Sequence, residues 1–117
     1  ACAHDCGLIV NPDGVRAQVE GAIVQTLSRT LKEEVTFDRS QVTSVDWASY
    51  PILRFDDVPE KIDVHIVDRP GEPFLGTGEA AQGPTAAAVA NALRNAAGKR
   101  FYDLPFTREK LLAGLGS

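Results

Sequence analysis

Apolar residues recur at spacings of three and four between Val15 and Leu31, and this pattern predicts an amphipathic helix. The segment Asn-Pro-Asp-Gly at residues 11–14 precedes it. Asparagine and aspartate cap helix N-termini well, and proline fits the first turn because its missing N–H would have no intrahelical partner there. The helix is therefore expected to begin at this segment and to fray over residues 32–34.

Two further helices are predicted in the C-terminal half of the chain. The first lies between Pro84 and Gly98, since proline suits a helix start and glycine supplies a left-handed cap at the far end. Most of its positions are alanine, so it can pack very close to another element or to a bound group. A short terminal helix is expected to begin at the Thr107 cap and to continue to Leu112.

Three segments have the patterns of β-strands. Residues 62–66 alternate between apolar and polar side chains, as in a half-buried strand that continues to residue 67, and the largely apolar residues 1–10 predict an opening strand. Residues 35–37 and 42–45 are separated by a four-residue loop and predict a hairpin. The expected fold class is α+β, with a small mixed sheet of the opening strand, the hairpin and one further strand. This sheet would pack with two main helices and a short C-terminal helix.

Length and charge narrow the class of protein. The chain of 117 residues is sufficient for one domain, residues 1–117. A net charge of −4 argues against a sequence-independent nucleic-acid surface, which needs clustered lysine and arginine. No apolar run approaches the roughly 20 residues that span a bilayer. Because the chain opens within a strand pattern, we expect a piece of a longer protein or a separately encoded subunit.

Cys2 and Cys6 suggest a disulfide or a metal site, but their spacing argues against both. In an extended segment their α-carbons lie about 13 Å apart, whereas a disulfide needs less than about 7 Å. His4 shares their strand face, yet neighbours on that face are too far apart to chelate one zinc ion easily. Free thiols in a reducing cytoplasm are therefore expected, and both His4 and His65 are interpreted as structural or surface residues.

The first candidate for chemistry is Glu79, within the sequence Gly76-Thr-Gly-Glu79 at the entrance of the alanine-rich helix. Glycines on either side of a turn allow a backbone to approach a ligand closely. A second interpretation is simpler, because an acidic residue near a helix N-terminus stabilises the helix dipole. The Gly-x-Gly spacing does not match a dinucleotide-binding fingerprint, since the third glycine is misplaced.

A second candidate lies on the first predicted helix. At 100° per residue, Gln18, Gly21 and Gln25 cluster on a flank distinct from the apolar stripe. Two amides beside a glycine offer several donors and acceptors, with room for a polar ligand held by Gln18. Periodicity alone equally allows a solvated or interfacial helix flank.

Several motifs in order give the chain a family resemblance. The run from His4-Asp-Cys-Gly7 to Asn11-Pro-Asp-Gly14, followed by Gln18-Val-Glu-Gly21, resembles the molybdenum-binding subunits of the xanthine dehydrogenase/aldehyde oxidase family. Gly76-Thr-Gly-Glu79, with the later Gly83-Pro-Thr85, belongs to the same pattern. The nicotinate dehydrogenase and isoquinoline oxidoreductase type of large subunit is the most similar. The match extends to about residue 112.

The resemblance implies specific roles for three residues. Members of this family hydroxylate an N-heterocycle or aldehyde with oxygen from water, using a molybdopterin-type molybdenum cofactor whose dithiolene holds the metal. Glu79 matches the family's general base, and Gln18 matches a helix glutamine that hydrogen-bonds the pterin. Gly78 matches a position where backbone lies close to the metal centre. No protein side chain of this segment is implied as a metal ligand.

The resemblance also implies partners. Complete family members have a much longer molybdenum subunit, an iron–sulfur subunit or domain, and a downstream electron acceptor. The chain would then be the C-terminal molybdopterin-cofactor-binding domain, without cofactor or activity when isolated. Two alternatives stay open at this point: a non-catalytic assembly module in which Glu79 only caps a helix, and a stand-alone binder of small molecules.

Overall fold

The computed structural model describes residues 1–116, which form three helices and a two-stranded sheet. The elements follow in the order β1 (Cys2–His4), α1 (Pro12–Leu31), a short 3₁₀ turn (Phe55–Asp57), β2 (Val64–Ile66), α2 (Gln82–Ala97) and α3 (Arg108–Leu115). The expected α+β class is thus observed, with two main helices and a short C-terminal one.

Helix α1 begins where the sequence predicts. The Asn11 side chain accepts a hydrogen bond from the backbone N–H of Gly14 at 2.9 Å, and Pro12 occupies the first helical position. Lys32 ends the helix. The Asn11 cap satisfies one of the backbone donors that a helix start leaves without an intrahelical partner.

The two C-terminal helices differ from expectation only at their bounds. Helix α2 starts at Gln82, two residues before Pro84, and ends at Ala97, followed by Gly98, whose φ of +71° is the left-handed cap that the sequence predicts. Helix α3 follows Thr107, whose hydroxyl accepts from the N–H of Lys110 at 3.4 Å. It runs to residue 115, three residues beyond the predicted end.

The sheet is smaller than predicted and is not mixed. Strands β1 and β2 pair in parallel, with Cys2 opposite Val64. The expected hairpin is reduced to one antiparallel bridge between Phe37 and Val42, and no pairing with the sheet occurs within residues 1–116. Phe37 is 76% exposed. The hairpin therefore lacks a buried face, and an isolated two-stranded ribbon is only marginally stable.

The opening strand ends at His4 rather than near residue 10, and Gly7 follows in a left-handed backbone conformation. Its φ is +68°, and an added Cβ would lie 2.0 Å from the carbonyl oxygen of Pro73. This close approach lets the chain return beside residues 6–8: Leu8 N–H donates to Glu72 O at 3.1 Å, and Leu75 N–H donates to Cys6 O at 2.9 Å. The Gly76–Glu79 segment consequently starts at the end of β1.

The core lies between α1, α2 and the sheet. Its centre consists of Val19, Ala22 and Ala81, and partly buried residues of both strands pack against it. The end of α1 also anchors an otherwise irregular segment, because Phe106 N–H donates to the carbonyl oxygen of Thr30 at 2.7 Å. Among the described residues, no helix is both long and apolar enough to cross a membrane.

Candidate functional site

The Gly76–Glu79 segment forms the entrance to α2. The carbonyl oxygen of Glu79 accepts the N–H of Gln82 at 3.0 Å, which ties the segment to the first residue of the helix. The Glu79 side chain is exposed. Its carboxylate is therefore open to solvent or a ligand at the positive end of the α2 dipole, where negative charge is favoured.

Gly78 lies against the amide flank of α1. A Cβ built on Gly78 would be 3.7 Å from Oε1 of Gln18, and the Gln18 side chain is exposed. Two of the residues that the sequence singled out, 60 positions apart, are thus neighbours. Glu79 follows Gly78 directly, and its side chain is exposed like that of Gln18.

Gln25, the other amide of this flank, is already engaged. Its Oε1 accepts from Nε2 of Gln82 at 2.8 Å, and Oε1 of Gln82 accepts from the guanidinium of Arg29 at 2.6 Å. The pattern of α1 did not reveal this link. Two features of the sequence are consistent with this link. Gln25 and Arg29 are four residues apart and share a helix face, and Gln82 is a polar residue in an alanine-rich sequence.

His4 is buried and contacts the Gly76–Glu79 segment. Its Nε2 lies 3.2 Å from the hydroxyl oxygen of Thr77, the residue between the two glycines. The sequence predicts a structural or surface histidine, and burial with a hydrogen-bond partner agrees with the structural interpretation. The involvement of Thr77 was not anticipated, because no local pattern links residues 73 positions apart.

Asp5 braces the loop that leads into the segment. Its carboxylate accepts from Arg69 at 3.0 Å and from the Gly7 N–H at 3.1 Å. These hydrogen bonds, first that of Arg69, lower the pKa of Asp5 below its usual value. Arg69 also contacts Glu72 at 3.1 Å. The loop is thus held to the end of β1 by charge as well as by backbone hydrogen bonds.

The surface around Gln18 and Glu79 suits a polar ligand. Added Cβ atoms at Gly21 and Gly76 would meet nothing within 4 Å, so backbone is accessible there without side chains in the way. The amide offers donors and an acceptor, and the carboxylate offers acceptors. Within residues 1–116, no group of three His, Cys, Asp or Glu side chains could hold a metal ion, and Cys2 and Cys6 are free thiols.

Comparisons with known proteins identify relatives of the chain. Residues 1–59 match the family model of the molybdopterin cofactor-binding domain. A nicotinate dehydrogenase subunit of Pseudomonas putida is 50% identical over 113 residues, which are 97% of this chain and 9% of that protein. The beta subunit of isoquinoline 1-oxidoreductase from Brevundimonas diminuta is 34% identical over 89% of this chain and 13% of its own length.

Two solved structures are similar to the chain in fold. Quinoline 2-oxidoreductase from Pseudomonas putida 86 superposes with a TM-score of 0.80 at 28% identity, covering 98% of this chain and 16% of that one. Aldehyde oxidoreductase from Desulfovibrio gigas superposes with a TM-score of 0.83 at 28% identity, covering 98% and 13%. The chain thus spans less than a sixth of the length of the curated relatives named above. Motifs, fold and comparisons together show that it belongs to the molybdopterin cofactor-binding domain family, within the molybdenum-binding subunits of the xanthine dehydrogenase/aldehyde oxidase group.

Proposed function

We propose that residues 1–117 are the C-terminal cofactor-binding domain of a molybdenum hydroxylase, contributing its catalytic base and one cofactor contact. The observation that carries this proposal is the proximity of Gly78 to Gln18, with an added Cβ only 3.7 Å from the amide oxygen. Glu79 is the next residue after Gly78, and its side chain, like that of Gln18, is exposed. Sequence motif and three-dimensional neighbourhood thus point to the same surface.

Gln18 would hold the pterin of the cofactor, since its side-chain amide can both donate and accept hydrogen bonds. Gly78 would let the backbone approach the cofactor closely, because it carries no side chain of its own. When bound, the molybdenum cofactor supplies the redox chemistry of hydroxylation with water-derived oxygen. The donors, the acceptor and the free space on this surface fit such a polar group.

Glu79 would act as the general base. A base must come within about 2.6–3.2 Å of the atom whose proton it removes, directly or through one water. The Glu79 carboxylate is exposed, and none of the ion pairs found among the described residues involves it. It is therefore free to accept a proton from a reacting group in a pocket that other polypeptide completes.

The proposed substrate is an N-heterocycle or an aldehyde. The relatives named nicotinate dehydrogenase and isoquinoline 1-oxidoreductase favour the heterocycle, with the stronger similarity to the former at 50% identity. Residues outside this chain would form most of the substrate pocket. A panel of nicotinate, isoquinoline and benzaldehyde would distinguish the two substrate classes.

We propose three partners: the remainder of the molybdenum subunit, an iron–sulfur subunit or domain, and a downstream electron acceptor. The accessible surface supports the first of these. It measures 8353 Å², whereas a self-contained globular protein of 12.6 kDa exposes about 6,200 Å². Burying this excess of about 2,150 Å² on one partner corresponds to a total interface of about 4,300 Å², in the range of obligate complexes, and the remainder of the same subunit would cover it.

A cytoplasmic location is proposed for the complete enzyme. Cys2 and Cys6 are both free, and Cys6 is buried. Unpaired cysteines suit a reducing compartment. The alternative is a periplasmic enzyme, which fractionation of cells followed by activity measurement in each compartment would detect.

The test of the base assignment is Glu79→Gln in the complete enzyme. We expect turnover to fall by about 10²- to 10⁴-fold, the range for loss of a general base, while molybdenum content stays at the wild-type level. The matched control is Glu109→Gln, which removes an acidic residue from the first turn of α3 instead. Wild-type turnover in Glu79→Gln would refute the assignment and leave only the helix-dipole interpretation.

A second candidate function, a non-catalytic assembly module, is favoured by the same large exposed surface. An apolar groove of about 520 Å³ lies between α1 and α2, with Ile23, Leu27 and Val89 among its lining residues. The Glu79→Gln variant of the complete enzyme distinguishes the two functions, because a non-catalytic assembly module predicts wild-type turnover in this variant. We expect the isolated chain to carry no molybdenum and no activity, and finding a bound pterin would contradict this expectation.

A further inference from the structure

The backbone that carries Glu79 is tethered on both sides. On the N-terminal side, Leu75 N–H donates to Cys6 O at 2.9 Å, and on the C-terminal side Glu79 O accepts from Gln82 N–H at 3.0 Å. Between these tethers, two of the three residues are glycines. Glycine has no side chain to restrict its backbone and loses more conformational freedom on ordering than any other residue. Thr77 is thus the residue between the two tethers whose side chain can anchor the turn.

Thr77 is anchored by a buried histidine. Nε2 of His4 lies 3.2 Å from the Thr77 hydroxyl oxygen, and the residue is 8% exposed. His4 is itself held at the end of β1, because its carbonyl oxygen accepts from Val67 N–H at 2.8 Å and it pairs in register with Ile66. A side chain on a paired strand is a more rigid anchor than one on a loop.

We propose that His4 and Thr77 are positioning residues: their hydrogen bond holds the Gly76–Glu79 turn in the orientation that aims the Glu79 carboxylate. This inference rests on the proposed role of Glu79 as the general base. The bond forms with either neutral tautomer of His4, because a protonated Nε2 donates to the hydroxyl and an unprotonated Nε2 accepts from it. Neither residue needs to contact the substrate.

The experiment uses the complete enzyme with two substitutions at Thr77. Thr77→Val keeps the shape and removes the hydroxyl, whereas Thr77→Ser keeps the hydroxyl. We expect kcat of Thr77→Val to fall about 10- to 100-fold, since a misplacement of about 1 Å at a catalytic group has effects of this size. KM should stay within about twofold, as for an interaction that matters only in the transition state. Thr77→Ser should recover kcat to within about threefold of wild type.

Hydrogen exchange supplies a readout that does not depend on turnover. In Thr77→Val, amides of residues 75–80 should exchange about five- to tenfold faster, the effect of losing one typical hydrogen bond. Amides of residues 62–67, on the other side of β1, should be unchanged. His65→Gln is the matched control, because His65 is exposed on the neighbouring strand, and it should alter neither kcat nor exchange in the turn.

The outcomes separate this inference from the base assignment. If Glu79→Gln is inactive while Thr77→Val has wild-type kcat and exchange, the positioning pair is refuted and the base assignment stands. If kcat of Thr77→Val falls without faster exchange at residues 75–80, positioning is likewise refuted. If Glu79→Gln is active, and Thr77→Val shows faster exchange at residues 75–80 with wild-type kcat, the hydrogen bond orders the turn. The base assignment and the catalytic role proposed for this hydrogen bond are then both refuted.

Discussion

At the scale of single residues, Gly7 has the strictest structural requirement near the candidate site. Its positive φ of +68° and the 2.0 Å separation between an added Cβ and Pro73 O act together. The first is a backbone conformation that side chains disfavour, and the second is a direct clash with backbone. Any side chain at Gly7 must therefore displace the loop that carries Gly76–Glu79 away from β1.

Gly7→Ala is predicted to lower the free energy of unfolding by at least about 2 kcal/mol, the sum of left-handed strain and a backbone clash. Gly71→Ala is the matched control, since Gly71 also has a positive φ, +93°, but an added Cβ there meets nothing within 4 Å. It should cost only about 1–2 kcal/mol. Urea unfolding measures both, and equal effects would show that the clash relaxes freely.

Gln18 is the second residue whose substitution tests the site. Gln18→Ala removes the exposed amide beside Gly78 and should reduce the molybdenum and pterin content of the complete enzyme. One lost hydrogen bond to a ligand corresponds to about a three- to tenfold weaker affinity. Glu20→Ala, also exposed on α1, is the control and should leave cofactor content unchanged. Full occupancy in Gln18→Ala under limiting cofactor would refute the contact.

At the scale of elements, a polar link joins α1 to the start of α2. Gln82 donates to Gln25 and accepts from Arg29, and its backbone N–H is bonded to Glu79. The core between these helices is built from small residues such as Ala22 and Ala81. Because small side chains bury little apolar area, polar contacts contribute a larger share to the docking of α2.

Gln82→Leu is predicted to lower the free energy of unfolding by about 1–2 kcal/mol, because it removes one hydrogen bond to an amide and one to a charged group. Asn95→Leu provides the control at an exposed amide of the same helix. It should change stability by less than about 0.5 kcal/mol. Denaturant unfolding measures both, and equal effects in the two variants would contradict the importance of this link.

The loop between β2 and α2 is predicted to loosen in acid. Because Arg69 and the Gly7 N–H lower the pKa of Asp5, the folded protein binds this proton less readily than the unfolded chain. The stabilisation is therefore present above the ordinary aspartate pKa of 3.8 and is lost as the pH falls through the lower folded value. Asp5→Asn should reduce the unfolding midpoint near neutral pH, and this difference from wild type should shrink towards pH 3. A difference independent of pH would contradict this assignment.

At the scale of the whole molecule, the chain is more extended than a self-contained domain. Its radius of gyration is 17.2 Å, compared with about 13 Å for a compact domain of this length. The extents are 52 × 36 × 27 Å. Several large apolar side chains are more than three-quarters exposed, among them Val10, Phe55 and Phe74. Such exposure is typical of a surface that other polypeptide covers.

The isolated chain is predicted to self-associate through its exposed apolar side chains. Sedimentation velocity should show oligomers whose proportion rises with concentration, since apolar area drives association. The double variant Phe55→Ser and Phe74→Ser should shift the distribution towards monomer. Lys61→Ser, at an exposed charged residue, is the control and should not. A single monomeric species at all concentrations would contradict the role assigned to the exposed surface.

The sequence alone predicted the parts of the structure that depend on local interactions. Asn11 capping, the left-handed Gly98 and the Thr107 cap are set by neighbours within a few residues, so α1, α2 and α3 were predicted to within a few positions. The family motifs also directed attention to Gln18, Gly78 and Glu79, whose catalytic and cofactor roles remain predictions. The prediction of a mixed sheet was wrong because strand pairing depends on distant segments. The hairpin residues do not pair with the sheet of β1 and β2.

Only the tertiary structure decided which distant residues meet. The parallel register of β1 and β2, together with the close passage of the chain over Gly7, places His4 against Thr77 and brings Gly78 to Gln18. These contacts arise from backbone pairing between segments far apart in the chain, and the alternation within one strand does not show which distant segment it pairs with. The sequence identified the residue types of the candidate site, whereas tertiary packing determined which of these residues lie close together.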